Sequence, residues 1–560
     1  MHTVCKNCRQ NFEVVAEDLK FYEKVSPIFG EKKYPMPAPK LCPDCRQQRR
    51  LSFRNERNLY NRACDLCKKP IITIYSPDKQ YTIYCRECWW SDKWDPLSFG
   101  KDFDFKRPFF EQYQELLKIV PKAAIIMYNC ENCDFTNYQN DARNCYLTFG
   151  SGVMEDCSYC NWCYHAKNIV DCSFCTKAEL DYMNVDCFQT YHCEYCQDCK
   201  VINDCSYCFD CRSCQNCFGC VGLRKKKFHI FNKAYPQAEY EKLVQELRKP
   251  QNRAHVLEQI KKLKMGYPHL ASRITNSENC TGDDIENSKN CHACYGVKDG
   301  FDCKYCYDIL GAVFGMKDVY DASCTGDNEL TYEIVAGGYY KYSAFIYGSA
   351  HLNFTYYAVE SNYGSNIFGG VGLKSKKYVI LNKQYTQEEY EALVPKIIEH
   401  MMKTGEWGEF FPATLSAFGY NETLAYEYFP LKKEEALAKG FQWSDYEIPT
   451  PVVKTVLKAS QVPADIKAVT DDILNTPIEC EVTGKPFKIT KQELDFYRKN
   501  NIALPTRHPN QRYRDRIALR NPRTLFDRNC SKCAAPVRSV YAPTRPEIIY
   551  CEKCYLAAIY

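Results

Sequence analysis

The sequence predicts a multidomain, β-rich α+β protein, with a zinc treble clef and zinc ribbons at both ends around a duplicated parallel β-solenoid carrying amphipathic helices. Three observations predict it. First, Cys64-x2-Cys67, seventeen residues and Cys85-x2-Cys88 recur as Cys530-x2-Cys533, seventeen residues and Cys551-x2-Cys554. Second, the eighteen cysteines from Cys130 to Cys220 all share one phase modulo three. Third, NCFGCVGLRKKKFHIFNKAYPQAEYEKLV at 216–244 matches NIFGGVGLKSKKYVILNKQYTQEEYEALV at 366–394, a constant offset of 150.

The N-terminal element, 1–60, carries Cys5-x2-Cys8 and Cys42-x2-Cys45, the second pair running straight into RQQRRLSFRNERNLYNR. A ligand pair at a helix start is the plan of a treble clef, because the helix N-terminus helps to stabilise thiolate charge. Residues 61–100 form a zinc ribbon: each C-x2-C turn offers two thiolates to one tetrahedral ion, and the segment between them folds as a hairpin. A helical connector, 101–127, leads to the cysteine-rich repeat at 128–222. Ten of its cysteines follow Asn or Asp, chiefly at 129, 144, 156, 171, 186, 198 and 216. Fixed-phase repetition of that kind predicts strands stacked coil on coil, with small side chains inside and Asn/Asp at left-handed turns.

A strand and helix follow at 223–270, then a second, Cys-poor repeat at 271–372 and a strand with helices at 373–446. In that last block Tyr390, Leu393, Val394, Ile397, Ile398 and Met401 fall at helical spacing behind a Thr386/Glu389 capping box. The Pro-containing stretch 447–475 reads as a linker. Residues 476–525 repeat the treble clef with most ligands lost: Cys480 matches Cys5, while Thr483, Pro505 and His508 stand for Cys8, Cys42 and Cys45. We expect a metal-free copy held by packing; a divergent site on Cys480 and His508 is the alternative. A ribbon at 526–560 completes the order.

The metal ligands expected are therefore Cys5, Cys8, Cys42, Cys45, Cys64, Cys67, Cys85, Cys88, Cys530, Cys533, Cys551 and Cys554, for three structural zinc ions. In the second copy Cys205, Cys208, Cys211, Cys214, Cys217 and Cys220 become Thr355, Ala358, Ser361, Gly364, Ile367 and Gly370. A ligand cannot become Ala or Gly, whereas a small core residue can, so the array reads as filling. A soft-metal or redox store, joined by His165, His192 and His292, is the competing reading; the plainer one makes these turn or surface histidines.

Lys+Arg 74 against Asp+Glu 69 gives a net charge of only +5, which excludes a polyanion-coating protein and confines any nucleic-acid site to a patch. Arg46, Arg49, Arg50, Arg54, Arg57 and Arg62 supply one such patch. Arg512, Arg516, Arg520 and Arg523 supply its copy, with Trp89 and Trp90 as stacking groups. On that reading the chain is a zinc-dependent scaffold for RNA or single-stranded DNA. The bland readings are a helix that ion-pairs with a neighbouring domain and tryptophans that cover a small core. Lys225, Lys226, Lys227, Lys374, Lys376 and Lys377 read as exposed edge charges. Alternatives for the whole chain are a protein–protein interaction scaffold built on the solenoid, and a thiol-based metal buffer or redox store.

No P-loop ending, H-E-x-x-H, G-x-S-x-G or kinase set is present, and four-thiolate sites have no open coordination position, so an enzyme is not the expectation. MHTVCKNCRQ lacks an apolar core and no run suits a membrane span, which points to a cytoplasmic protein with reduced thiols and no membrane partner.

Two resemblances accompany these readings. The first fifty residues or so, with an aromatic pair Phe21-Tyr22 and the ending Cys42-Pro43-Asp44-Cys45-Arg46, resemble the "probable zinc-ribbon" treble-clef family. Taken whole, FRNERNLYNRACDLC, CWWSDKWDP, FGYNETLAYEYFP and IECEVTGKPF resemble a bacterial family of long multi-zinc-ribbon proteins with Cys/Asn-rich repeats. That second resemblance implies zinc modules at both ends and brings no activity with it.

Overall fold

The computed structural model describes residues 1–171, 188–309, 315–449 and 455–559. Cys172, Cys175 and Cys187 of the array, Asp186 and part of the linker lie outside the described residues. The architecture is mixed α/β with more strands than helices, and four-cysteine groups stand near both ends. No helix among the described residues is long and apolar enough to cross a membrane.

The chain divides into two compact units, each discontinuous. Met1–Ile126 joins Arg273–Ile448, and Met127–Ser272 joins Pro449–Tyr560. Each unit contains one ladder of parallel strands together with one segment read in the sequence as a clef and one read as a ribbon. The order along the chain did not show which end module belongs with which ladder.

In the ladders the register advances by twelve residues per strand: Met127 faces Gln139, Asn140 faces Gly152, which faces Tyr164, and Phe188 faces Lys200. The other unit repeats it from Met316 on, with Met316 opposite Asn328 and Ala350 opposite Asn362, after steps of eleven residues at Ile274–Ile285 and sixteen at Tyr307–Ser323. Every third residue is left-handed, as at Asn129, Asn132, Phe135, Tyr138, Asp141 and Asn144 (φ 48 to 54°). The Asn/Asp positions 129, 144, 156, 171, 198 and 216 all have φ between 48 and 63°. Their short polar side chains tolerate that region and bond along the column: Asn132 Nδ2 donates to Asn144 Oδ1 at 2.8 Å, and Asn144 Nδ2 to Asp156 Oδ1 at 2.9 Å.

The residue after each left-handed corner points inward. Cys157, Cys160, Cys163, Ala166 and Ile169 form one core, and Cys193 to Cys220 form another. In the other unit Cys291, Val297, Cys303, Ile334, Leu352, Ala358 and Ile367 do the same. The inward thiols make hydrogen bonds as well as filling volume. Cys208 Sγ donates to Ser206 O and Cys217 O, both at 3.5 Å, and Cys211 Sγ to Phe209 O and Cys220 O, both at 3.6 Å. Ser361, the counterpart of Cys211, donates to Val359 O at 3.2 Å and accepts from Leu373 N at 3.3 Å. Thiol and hydroxyl are interchangeable here because either is small and can satisfy a buried carbonyl.

Each ladder ends in a hairpin and a helix. Lys377–Ile380 pairs with Lys383–Gln384, and Gln387–Thr404 follows. Thr386 Oγ1 accepts from Glu389 N and Glu389 Oε2 accepts from Thr386 N, the expected capping box. Tyr390, Val394, Ile397, Ile398 and Met401 are buried.

The clefs and ribbons are built alike. His2–Val4 pairs with Asn11–Glu13, Ala16–Val25 is helical, and Pro43–Leu51 starts at Cys42. Ile478–Glu479 and Pro486–Phe487, then Lys491–Lys499 and Pro509–Ile517, repeat the plan. Here the expected match of the second ligand pair needs correcting. His508 is the N-cap before Pro509 as Cys42 is before Pro43, so His508 takes the place of Cys42 and Gln511 that of Cys45. Thr483 and Gln511 offer no thiolate, and the copy packs around Leu494, Tyr497 and Phe487.

Candidate metal centres and the basic helices

Four turns of one type open the clefs and ribbons. Cys5, Cys64, Cys530 and Cys480 each accept at their carbonyl from a left-handed residue four places on: Arg9, Lys68, Ala534 and Gly484, at 2.8 to 3.0 Å. The turn aims backbone N–H groups at sulfur. Cys42 N donates to Cys5 Sγ at 3.3 Å and Cys85 N to Cys64 Sγ at 3.2 Å. Burial opposes the Cys5 thiolate, but the N–H groups of Cys42, Cys8 and Asn7 outweigh it and bring the pKa down to about 6. By the same balance Cys64 falls to about 7 and Cys530 to about 6. One thiol of each group is thus prepared as a thiolate.

In each of the three groups the four Sγ atoms lie within 4.8 Å of one another. The second-to-third ligand distances are 3.7 Å for Cys8–Cys42 and 3.8 Å for both Cys67–Cys85 and Cys533–Cys551. Tetrahedral thiolates about 2.3 Å from zinc stand about 3.8 Å apart, so the donor set and its size fit that ion. Among the described residues these three groups are the ones whose donor atoms gather so closely. His165 is exposed at a left-handed corner, and His192 Nδ1 lies 2.9 Å from Asp204. Neither joins a thiol cluster, nor does His292.

The basic helices are placed otherwise than a phosphate-gripping stripe requires. Arg46 is 1% exposed and Arg50 0%. Arg46 Nη2 lies 2.9 Å from Asp321, and Arg50 Nη1 lies 3.1 Å from Asp321 and 3.0 Å from Glu333. Arg49 pairs with Glu333 at 3.0 Å and Glu409 at 3.2 Å. Arg54 is buried, ion-pairs with Glu56 and donates to Cys324 O at 3.1 Å, while Arg62 donates to Lys79 O and Tyr81 O. Arg57 is half-buried. The copy matches: Arg512 and Arg516 are buried, 2.5 and 3.5 Å from Asp171, and Arg512 also lies 3.3 Å from Glu493. Arg520 and Arg523 are half-buried. The expected contacts at Arg46, Arg50, Arg54, Arg512 and Arg516 are therefore corrected, because their guanidinium groups face carboxylates or carbonyls inside their own unit.

Asp171 and Asp321 are the same left-handed corner of the two ladders, 150 residues apart, with φ of 63 and 57°. A second pair of corners receives the ribbons. Tyr75 Oη donates to Glu360 at 2.8 Å, and Tyr267 and Tyr555 donate to Asp210. Asp210 and Glu360 are again 150 apart, with φ of 47 and 49°. Asp171 and Asp321 thus meet the clefs and Asp210 and Glu360 the ribbons, with Glu333 a further carboxylate on the first clef, an arrangement for which only the periodicity of acidic corners was a signal.

Trp89 is 2% exposed and Trp90 36%, packed edge-on at 4.9 Å; Trp94 Nε1 donates to Trp89 O at 2.9 Å. Lys374 is no free edge charge. Its Nζ lies 4.6 Å from the Trp94 ring and 5.3 Å from that of Trp89, and donates to Trp89 O at 2.7 Å. Trp89 is therefore core cover, and its assignment as a stacking group for bases is corrected.

No protein-family model and no curated protein matches this chain.

Proposed function

We propose that the chain is a zinc-stapled scaffold of reducing compartments such as the cytoplasm. On this proposal its two parallel ladders close into β-solenoid coils, and an aromatic face of the second ladder docks a partner protein. The twelve-residue register with a left-handed corner every third residue supports the coil, since four equal sides of three residues return the chain above itself. The observation that carries the docking reading is a set of exposed rings on successive strands. Tyr339, His351 and Tyr363 stack at 4.4 and 4.8 Å, and Tyr342 stacks on Phe354 at 5.1 Å. Phe354 and Tyr363 are 51 and 53% exposed. Beside them runs a groove of about 630 Å³ lined by Phe301, Lys317, Glu329, Tyr339, Lys341 and His351.

Rings stacked on one another offer edges and hydroxyls outward, with their facing sides already covered. Base stacking needs a free ring face, whereas a protein interface uses Tyr and Phe as amphipathic anchors. With the arginine helices turned inward, the protein partner is the better-supported reading. The test is quantitative affinity purification of the wild-type chain against a Tyr342→Ser/Phe354→Ser/Tyr363→Ser variant. We expect a stoichiometric protein retained by the first and lost by the second, with zinc content and Tm unchanged. Retention by both, or recovery of RNA in place of protein, would overturn the reading.

A further inference from the structure

The three four-cysteine groups meet solvent differently. Each of the first two has three buried cysteines and one half-buried. In the C-terminal group only Cys530 is buried: Cys551 and Cys554 are half-buried and Cys533 is exposed. The residues next to the last ligands explain the contrast. After Cys85 and Cys88 come Trp89 and Trp90, roofed by Trp94 and the caged Lys374. After Cys551 and Cys554 a single ring, Tyr555, turns into the unit, and Leu556 stays 45% exposed.

The exposed group also holds a clasp. Ile549–Tyr550 pairs in parallel with His269–Leu270, His269 N donating to Ile548 O at 2.7 Å and Ala271 N to Tyr550 O at 3.0 Å. The helix Glu552–Ile559, which starts beside Cys551 and contains Cys554, carries Tyr555 to Asp210 and to Arg224, 3.1 Å away. A ribbon this small has little core of its own, and metal binding supplies its order.

Exchange at a zinc thiolate begins with approach of a competing ligand or cation, so access to sulfur sets the order in which sites exchange. We infer that Cys530, Cys533, Cys551 and Cys554 form an exchangeable soft-metal site. A chelator removes its zinc first, a thiophilic cation such as Cd²⁺ replaces its zinc first, and emptying it unclasps the ribbon from residues 269–271. This rests on the zinc reading of the three groups and is independent of the docking face.

The experiment uses the full chain, purified anaerobically and loaded with three zinc ions. Zinc is withdrawn with excess 4-(2-pyridylazo)resorcinol while N-ethylmaleimide traps released thiols for mass spectrometry. One ion should leave about tenfold or more ahead of the others. Cys533, Cys551 and Cys554 should be alkylated in that phase, and amide exchange at 269–271 should accelerate while that at 122–124, where Lys122 N and Ala124 N donate to Thr82 O and Tyr84 O of the first ribbon at 2.9 Å, stays slow. Cys533→Ser should abolish the fast phase and leave two slow ions; the alkylation pattern of the wild type decides the matter if that variant fails to fold. Release of all three at one rate, or first alkylation among the cysteines at 5–45 or 64–88, would overturn the inference. A chain that binds no zinc at all would overturn the metal reading beneath it.

Discussion

Replacing Asp321 by Ala is the sharpest perturbation of the first unit, because it leaves two guanidinium groups buried at 1 and 0% exposure with one carboxylate fewer. Charge centres roughly 4 Å apart attract by about 4 kcal/mol at an effective dielectric of about 20, and this attraction offsets a desolvation cost of several kcal/mol per ion. Removing one partner leaves the cost without the offset. Glu333, 3.0 Å from both Arg49 and Arg50, recovers part of it. We therefore expect a loss of about 3–5 kcal/mol. The comparison is Asp445→Ala, which breaks a pair of similar length, 2.7 Å to Lys433, at 41 and 73% exposure, and should cost under about 1 kcal/mol. Urea unfolding followed by tryptophan emission suits the question, since Trp89, Trp90, Trp94, Trp407 and Trp443 belong to this unit and only Trp162 to the other. If Asp321→Ala costs no more than Asp445→Ala, the buried arginine network does not hold the clef, and these arginines would again be free to grip phosphate.

Metal analysis of the anaerobic chain should give three zinc ions; six or more would show that the inward thiols are ligands. Cys208→Leu should destabilise the second unit by about 1–3 kcal/mol through overpacking, against about 1 kcal/mol or less for Cys208→Ser, which keeps a donor; thermal unfolding separates them. Lys374→Met should shift the tryptophan emission and cost about 1–2 kcal/mol, as a partly buried cation leaves two rings. His269 should make the second unit acid-sensitive. Burial first, then Lys264 nearby, hold its pKa below 6.5, although the Lys264 carbonyl and the charges of Glu547 and Asp210 pull it upward. The unfolded chain therefore takes up the proton first, stability rises with pH across that window, and it is lost as pH falls below about 6.5. Tm measured across this range should fall for the wild type and less for His269→Gln; parallel curves would refute the assignment.

Features with a local cause were legible in the sequence. Two thiols on one turn need only four residues, so the three four-cysteine groups could be read from spacing, and the Asn/Asp corners could be read because few residues tolerate φ near 50°. The capping box at Thr386 and the buried face from Tyr390 to Met401 followed from helical periodicity in the same way. The basic stripe was legible as a helix and misleading as a surface, since the group that buries Arg50 is an aspartate 271 residues away. The His508 register was read three residues off because both thiols of the second pair are gone; what fixes it is Pro509, which follows His508 as Pro43 follows Cys42. Lys374 shows a third kind of failure: a cluster of lysines looks like solvent, yet one of them is claimed by a ring that precedes it by 285 residues.

The interlacing of the two units also bears on synthesis. Residues 1–126 leave the ribosome before 127–272 but belong with 273–448, so the clef arginines wait through the whole of 127–272 before Asp321 and Glu333 exist to receive them. Meanwhile the ladder made in that interval waits for residues 449–560. On the zinc reading, a metal ion would close the first clef and ribbon at once, since their four-cysteine groups are local, and so hold each module in shape during the delay. Stapling with metal is thus suited to a nascent chain whose parts are ordered long before their docking sites are translated. Deleting the last hundred residues or so should leave the first ladder without its clef, and with it a set of uncovered corners for chaperones to hold.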